Sequence, residues 1–521
     1  MVFSVSSVLS IIALLIVLAI SSLYIYLKYV YSYWERHGVK SFAGKIPYGN
    51  FEKTIKQKRS VGEVLTDLYR STTEPFIGFY GPLKPILLIR DPALVRQILI
   101  KDFQYFANRG IYSDEKNDPL SAHLFSLDGD KWKKLRYKVS PTFTSGKLKA
   151  MFSTLVRCGE SLQKVVKSTV EKGEEIDMRE LVACFSTNII ASIAFGWDVD
   201  AITDSNTPFR KYGRQYFQKS LKNGVRNLAK FVSPKLMHVL RLKAIDADIE
   251  EFFFDMIRQT MALRENNNVV RKDFFQLLFQ LRNMGSIQSD DDWETKTISD
   301  EEKDKNLTIN ELAATAFIFY AAGFESSSST VSFCLYELAK NSEMQRIAQR
   351  KINAVLERHN GQYTFDAINE MKYLGCCVDE TLRKHSPIAM LNREVSQSYK
   401  VPGMGLTLET GTAIMVPVYG IHHDEKYYPN PEVFEPNRFS VENAKNKTFV
   451  EMPYLPFGDG ARNCIGMRLG LMVFKVCLAM LLKEFNYSLG EQHIGKELEY
   501  SPTSFVMAPI GTLKLKATYR H

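Results

Sequence analysis

The ten-residue string Phe457-Gly458-Asp459-Gly460-Ala461-Arg462-Asn463-Cys464-Ile465-Gly466 constrains this chain more than any other segment. Five fixed positions of the form F-x-x-G-x-R-x-C-x-G arise by accident in roughly one chain of this length in ten thousand at average composition. The glycines permit a tight turn whose backbone can approach a flat ligand. Arg462 offers a cation to a carboxylate. Cys464 stands just before an apolar run, Arg468 to Leu482, that reads as a core helix. Oriented N–H groups at a helix start stabilise a thiolate. A thiolate so placed is a soft axial ligand of the kind that binds haem iron.

The opposite end of the chain sets a second constraint. Met1 to Leu27 carry no charged side chain, although 24% of the chain is charged. Val8 to Ile25 (VLSIIALLIVLAISSLYI), with Phe3 to Val5, supplies about 20 apolar positions, enough to span about 30 Å of hydrocarbon as a helix. Tyr24, Tyr26, Tyr29, Tyr31, Tyr33 and Trp34 follow, as aromatics do where a helix leaves a bilayer. A cleaved signal peptide is the rival reading. No cation precedes the run, however, and it exceeds the usual apolar core of about 7–15 residues. Lys28, Arg36, Lys40 and Lys45 outweigh Glu35 beyond the run, which keeps the rest of the chain cytosolic by the positive-inside tendency. The expected division is an anchor at 3–27, a linker at 28–50 and one large domain at 51–521, rather than the three or so domains that length alone would suggest.

The net charge is +9, from 67 Lys+Arg and 58 Asp+Glu. Between Ser205 and Ile245 stand ten cations and no acid: Arg210, Lys211, Arg214, Lys219, Lys222, Arg226, Lys230, Lys235, Arg241 and Lys243. The other 480 residues therefore sum to −1. Aromatic and aliphatic residues interleave with these cations, a pattern that suits an anionic membrane surface rather than nucleic acid. A hydrophobic fraction of 45% excludes wholesale disorder. The seven cysteines form no C-x-x-C, so neither a zinc module nor a disulfide scaffold has support, and the chain reads as reduced and intracellular.

Local patterns predict a mainly helical chain with minor sheets. Phe76–Tyr80 (FIGFY) and residues 85–90 (PILLIR) read as a strand pair turned at Gly81-Pro82. FFQLLFQL at 274–281 reads as helix, and the acidic stretch 285–305 as a solvated connector. Thr308-Ile309-Asn310-Glu311 fits a capping box ahead of a helix reaching about Lys340. Past Pro402, short apolar runs with glycine turns read as strands.

The cysteine string resembles the ligand loop of the cytochrome P450 family, and weaker motifs succeed one another in that family's order over nearly the whole chain. The resemblance implies a mainly α fold, one large helical domain with small β-sheets, behind an N-terminal transmembrane anchor. It implies haem as cofactor, held by the Cys464 thiolate on iron, with Phe457 and Arg462 in the same loop. Glu380-Thr381-Leu382-Arg383 and Pro436-Asn437-Arg438-Phe439 match the E-x-x-R and P-x-R-F motifs, implying a structural network of Glu380, Arg383 and Arg438. Trp132 and Arg136 match W-x-x-x-R and, with Arg393, imply contacts to the haem propionates. Ala322-Gly323-Phe324-Glu325-Ser326-Ser327 resembles the oxygen-binding segment A-G-x-[D/E]-T-[T/S]. There Gly323 would leave space beside the iron, and Glu325 and Ser326 would relay protons. Serine stands where the family usually has threonine, which bears on coupling. The hydroxyls from Ser327 to Thr330 read as back-bonding within the helix.

The activity that the resemblance implies is that of a monooxygenase inserting one oxygen atom of O2 into a lipophilic small molecule, a xenobiotic or a hormone. Electrons would come from NADPH through cytochrome P450 reductase, with cytochrome b5 as an optional second donor and the endoplasmic reticulum as the membrane. ETLRKHSP, LNRE and IHHDEKYYPNPEVFEPNRF are similar to the insect xenobiotic-metabolising clan. Two departures are a single proline, Pro47, in the linker and Ser386 where proline is common. By family position the pocket would use Phe125, Phe317, Ala321, Ala389, Met390, Leu391, Phe505 and Val506. The basic segment 205–245 would dip into the bilayer. Lys131, Lys133, Lys134 and Lys138 would face the reductase. The rivals are a haem-thiolate isomerase or dehydratase, which tends to lack the acid–alcohol pair, and a non-catalytic haem or ligand-binding protein at a membrane.

Overall fold

The computed structural model describes residues 5–217, 223–224, 226, 229–230, 233–287, 293, 306–445, 447–504 and 506–520. Most of the acidic stretch 285–305 falls outside them, as do Lys219, Lys222 and Phe505. The fold is mainly helical, with three small sheets among the described residues.

The long helix, Ile309–Lys340, is the axis of the domain. Thr308 caps it and both halves of the expected capping box form. From Ser327 to Leu338 every side chain is buried. A helix apolar all round must be enclosed by other elements. Here the enclosing helices include Met178–Ile190, Lys372–Lys384 and Met467–Glu484. The last of these is the expected core helix, buried from Met472 to Leu482 except at Lys475.

The predicted strand pair forms as Phe76–Tyr80 against Pro85–Ile89, antiparallel with Phe76 opposite Ile89. Ala413–Val416 adds in parallel to the second strand, and Leu391–Glu394 closes the sheet antiparallel to it, with Arg393 opposite Ile414. The alternating faces of that last strand turn Arg393 inward.

An apolar helix, Val5–Val30, precedes the domain. Every side chain from Leu9 to Tyr26 is exposed, and Leu9–Val30 has a mean hydropathy of 2.5. A second stretch of similar length and composition, Met178–Phe195, is 83% buried and belongs to the core. The segment expected as a linker is folded onto the domain. Leu27, Val30 and Trp34 are buried, the Trp34 indole donates to the Phe79 carbonyl (3.2 Å), and Ser41 bridges to Gly78. Aromatic residues supply much of the contact, with Tyr31 and Tyr80 ring centroids 5.2 Å apart.

The basic stretch is more divided than its sequence suggests. Arg210 and Arg214 pair with Glu180, Arg226 with Asp246, and Lys243 with Glu250. Lys235 and Arg241 remain exposed beside Leu236, Val239, Leu240 and Leu242, so among the described residues exposed cations meet exposed apolar side chains at 235–242.

Candidate active site

Cys464 sits in a loop folded back on itself. Its N–H donates to the Phe457 carbonyl (2.8 Å), and the Asn463 N–H donates to the Gly460 carbonyl (3.1 Å). Gly460 adopts φ +69°, and a Cβ there would stand 2.0 Å from the Leu99 carbonyl oxygen. The segment packed behind the loop demands glycine at this position, while Gly458 and Gly466 edge the cavity. The Cys464 side chain opens onto a cavity of about 440 Å³ that Phe457, Arg462 and Ile465 also line. Burial pushes its thiol above the ordinary value, against the pull of the Gly466 N–H and of Arg136 and Arg109. The helix terminus therefore eases ionisation without completing it; a coordinated metal ion deprotonates such a thiol outright.

Trp132 and Arg136 lie one turn apart on helix Gly129–Val139. Arg136 donates from Nη1 to the Asn463 carbonyl (3.0 Å) and from Nη2 to Asn463 Oδ1 (2.8 Å), clamping the residue next to Cys464. The Arg462 guanidinium stacks 4.1 Å from the Trp132 ring centroid. It donates to the Ala107 and Leu127 carbonyls (2.8 and 2.7 Å) and lies 3.2 Å from Asp128. Its Nη1 has no partner, nor have Nε and Nη2 of Arg393, although all three are buried.

Arg109, which no motif marks, lines the cavity as Trp132, Arg136 and Arg462 do, whereas Arg393 is buried and is not among the lining residues. Arg109 donates to the Phe125 and Arg462 carbonyls (3.2 and 3.1 Å) and lies 4.0 Å over the Phe125 ring. Burial pushes Arg109, Arg393 and Arg462 below the ordinary arginine value, and each is then pushed further by another of the three. Among the described residues, Asp128 is the one acid paired with any of them. Buried guanidinium N–H groups without acceptors fit a ligand that brings carboxylates.

The long helix forms another wall through Ala321, Ala322, Gly323 and Ser326. A Cβ on Gly323 would stand 2.6 Å from Ile190 Cδ1, so this glycine lets two helices approach in addition to edging the cavity. Ser326 Oγ donates to the Ala322 carbonyl one turn back (2.6 Å). Glu325, about 100° around the helix, is buried against Arg179 of helix Met178–Ile190 and is not among the lining residues. The expected acid–alcohol pair is thus split between two faces. Beyond it, Ser328 and Thr330 donate to the Glu325 and Ser326 carbonyls (3.1 and 2.8 Å), the back-bonding expected of this run, whereas Ser327 lines the cavity and Ser329 Oγ is buried without a hydrogen-bond partner.

Of the pocket candidates, Phe125, Ala321, Leu391 and Val506 line the cavity. Phe317 is buried against Phe253 and Tyr216. Ala389 packs on Gly62, and Met390 joins a separate core around Phe51 and Leu65. Successive strand and loop residues face opposite sides, which separates Met390 from Leu391. Phe505 lies outside the described residues.

A family model for cytochrome P450 matches residues 47–516. The chain belongs to the cytochrome P450 family. It is similar to Probable cytochrome P450 6d5 of Drosophila melanogaster, 39% identical over 498 residues, covering 95% of this chain and 97% of that one. It is also similar to Cytochrome P450 6d3 of Musca domestica (38% over 518 residues, 97% and 98% covered) and to Cytochrome P450 6a2 of Drosophila melanogaster (39% over 509 residues, 96% and 98% covered). Cytochromes P450 are monooxygenase oxidoreductases that bind haem through a cysteine thiolate on the iron. The cavity fits that group: it is largely apolar, the Cys464 sulfur opens onto it, and the lining Arg462 has a buried guanidinium N–H group that lacks an acceptor.

The remaining P450 motif is a scaffold. Glu380 and Arg383 are fully buried and bonded in two places (2.7 and 2.8 Å). Arg383 also donates to the His422 and Pro431 carbonyls, while Glu380 accepts from the Glu435 N–H and Arg438. Each charge is met from several sides, as a buried ion network requires.

Proposed function

We propose that this P450 oxygenates lipophilic small molecules, taking electrons from NADPH through cytochrome P450 reductase at the endoplasmic reticulum membrane. The observation that carries the reading is the meeting of the Cys464 sulfur, the Ser326 hydroxyl and the Gly323 edge on one largely apolar cavity. In this reading Cys464 ligates the haem iron, and Arg462 and Arg393, whose buried N–H groups lack partners, hold the propionates. Arg136 acts one step back, fixing the cysteine loop through Asn463. Haem, when bound, supplies the activation of dioxygen.

The chain's own contribution is to exclude bulk water, orient an apolar substrate and deliver protons. Ser326 is placed to hold a proton donor at the cavity wall once its hydroxyl turns from the Ala322 carbonyl. Glu325 would act through solvent or by release from Arg179 rather than by direct contact. Lys133 and Lys134, exposed on the Trp132 helix, form the face offered to an acidic reductase. The apolar helix and the tip at 235–242 support a membrane site for the protein.

The test is reconstitution of the haem-loaded chain with reductase and NADPH, with product analysis across a panel of neutral lipophiles. Oxygenated product that depends on both NADPH and reductase is the expected result. Haem binding with no NADPH consumption would overturn the reading.

A further inference from the structure

The cavity contains a cation that the P450 chemistry just described does not use. Lys230 lines the wall, and its carbonyl accepts the Tyr112 N–H (3.0 Å), which pins its backbone. Its Nζ stands 5.6 Å from the ring centroid of Tyr216, another lining residue. Among the described residues no carboxylate is paired with it. The acids that act on it are Asp118 and Asp246. Asp246 is bonded to Arg226 (2.8 Å), and Asp118 accepts the Ala244 N–H at Oδ2 (2.6 Å) while its buried Oδ1 accepts no hydrogen bond. Arg109 spends its donors on carbonyls, and burial pulls His123 down to about 3, so the imidazole stays neutral.

An ammonium facing an apolar cavity is costly unless an anion meets it. The phenol of Tyr112, also in this wall, is buried with no hydrogen-bond partner and adds an unused donor. Burial, then repulsion from Arg226, pulls the Lys230 ammonium down to about 8, which leaves it mostly charged at neutral pH.

We propose that Lys230 is an anion anchor inside the substrate cavity, selecting lipophiles that carry one carboxylate. The chain then orients an amphiphile by its charged end while the apolar body lies along Phe125, Ala321 and Val506 toward the Cys464 loop. This rests on the monooxygenase reading of the same cavity.

The test uses the full-length, haem-loaded enzyme with reductase, myristic acid and methyl myristate, and the variants Lys230→Met and Lys230→Arg. The quantity read is the ratio of acid to ester affinity, from the shift of the haem absorption band on titration. Losing a charge-assisted contact should lower that ratio about tenfold in Lys230→Met. Lys230→Arg should restore it. An unchanged ratio in Lys230→Met, or a wild type that does not distinguish acid from ester, overturns the anchor, with Asp118 then read as the standing counter-charge. Turnover of the ester separates the two readings. Ester oxygenated without acid preference sinks the anchor alone. Acid preference in the titration without any turnover sinks the monooxygenase reading and leaves the anchor standing.

Discussion

Neighbouring residues in this site do different work because a helix separates them by about 100°. Ser326 faces the cavity, whereas Glu325 is held by Arg179 on the far side. Ser326→Ala should therefore change proton delivery without touching the ion pair. The expected outcome is more hydrogen peroxide released per NADPH consumed, with coupled product falling by up to about 10²-fold, the lower edge of what a positioned proton donor contributes. Unchanged coupling would remove Ser326 from the relay. The motif string alone placed these residues in order along the chain but could not say which way each turned. Arg109 and Lys230 were less legible still. Arg109 belongs to no local pattern and Lys230 is one of ten cations in a basic stretch; each matters because distant segments bring it to one cavity.

At the scale of elements, the close crossing of the long helix and Met178–Ile190 depends on Gly323. Gly323→Ala presses on the flexible end of Ile190, itself a cavity residue, so the cost should sit near about 1 kcal/mol, the mild end of overpacking. Thermal unfolding would register that loss, and a changed product distribution would show that Ile190 had moved. Adding Ile190→Val should relieve both. A second junction joins the long helix to the end of the E-x-x-R helix. Glu337 is bonded to His385 (2.7 Å) and Lys384 (2.9 Å), with Tyr500 on the other side of the imidazole (2.7 Å). These partners outweigh burial and hold the Glu337 carboxyl down at about 2, against 4.5 unperturbed. Its stabilisation is present in full above about pH 4.5 and is lost as pH falls toward 2. Glu337→Gln should lower Tm at pH 7 and flatten the acid limb of Tm against pH; an identical acid limb in both proteins would refute the assignment. Local signals made elements legible: the capping box at Thr308, the strand pair at 76–89 and the core helix after Cys464 all form as the residue patterns imply. Junctions such as Glu337–His385 were not, because their partners lie far apart in sequence.

For the molecule as a whole, the proposed reading gives membrane attachment two sources, the apolar helix and the cationic tip at 235–242. Deleting residues 3–26 should leave binding to anionic vesicles at low salt that is lost at high salt, since exposed charges are screened over about 8 Å at physiological ionic strength. Salt-resistant binding of the truncated protein would show that the tip inserts its apolar residues deeply enough to anchor alone. Residues 28–50 read as a linker in sequence because charge and composition shift there; the aromatic contacts that dock it are visible only in three dimensions. That docking has a mechanical consequence. With Leu27, Val30 and Trp34 seated in the body and Ser41 bridged to the first strand, a chain anchored by the apolar helix would leave the lipid with almost no slack. The catalytic body cannot swivel on a string. In the proposed membrane setting, its tilt against the bilayer would be set by the anchor, and with it the direction from which a dissolved lipophile arrives.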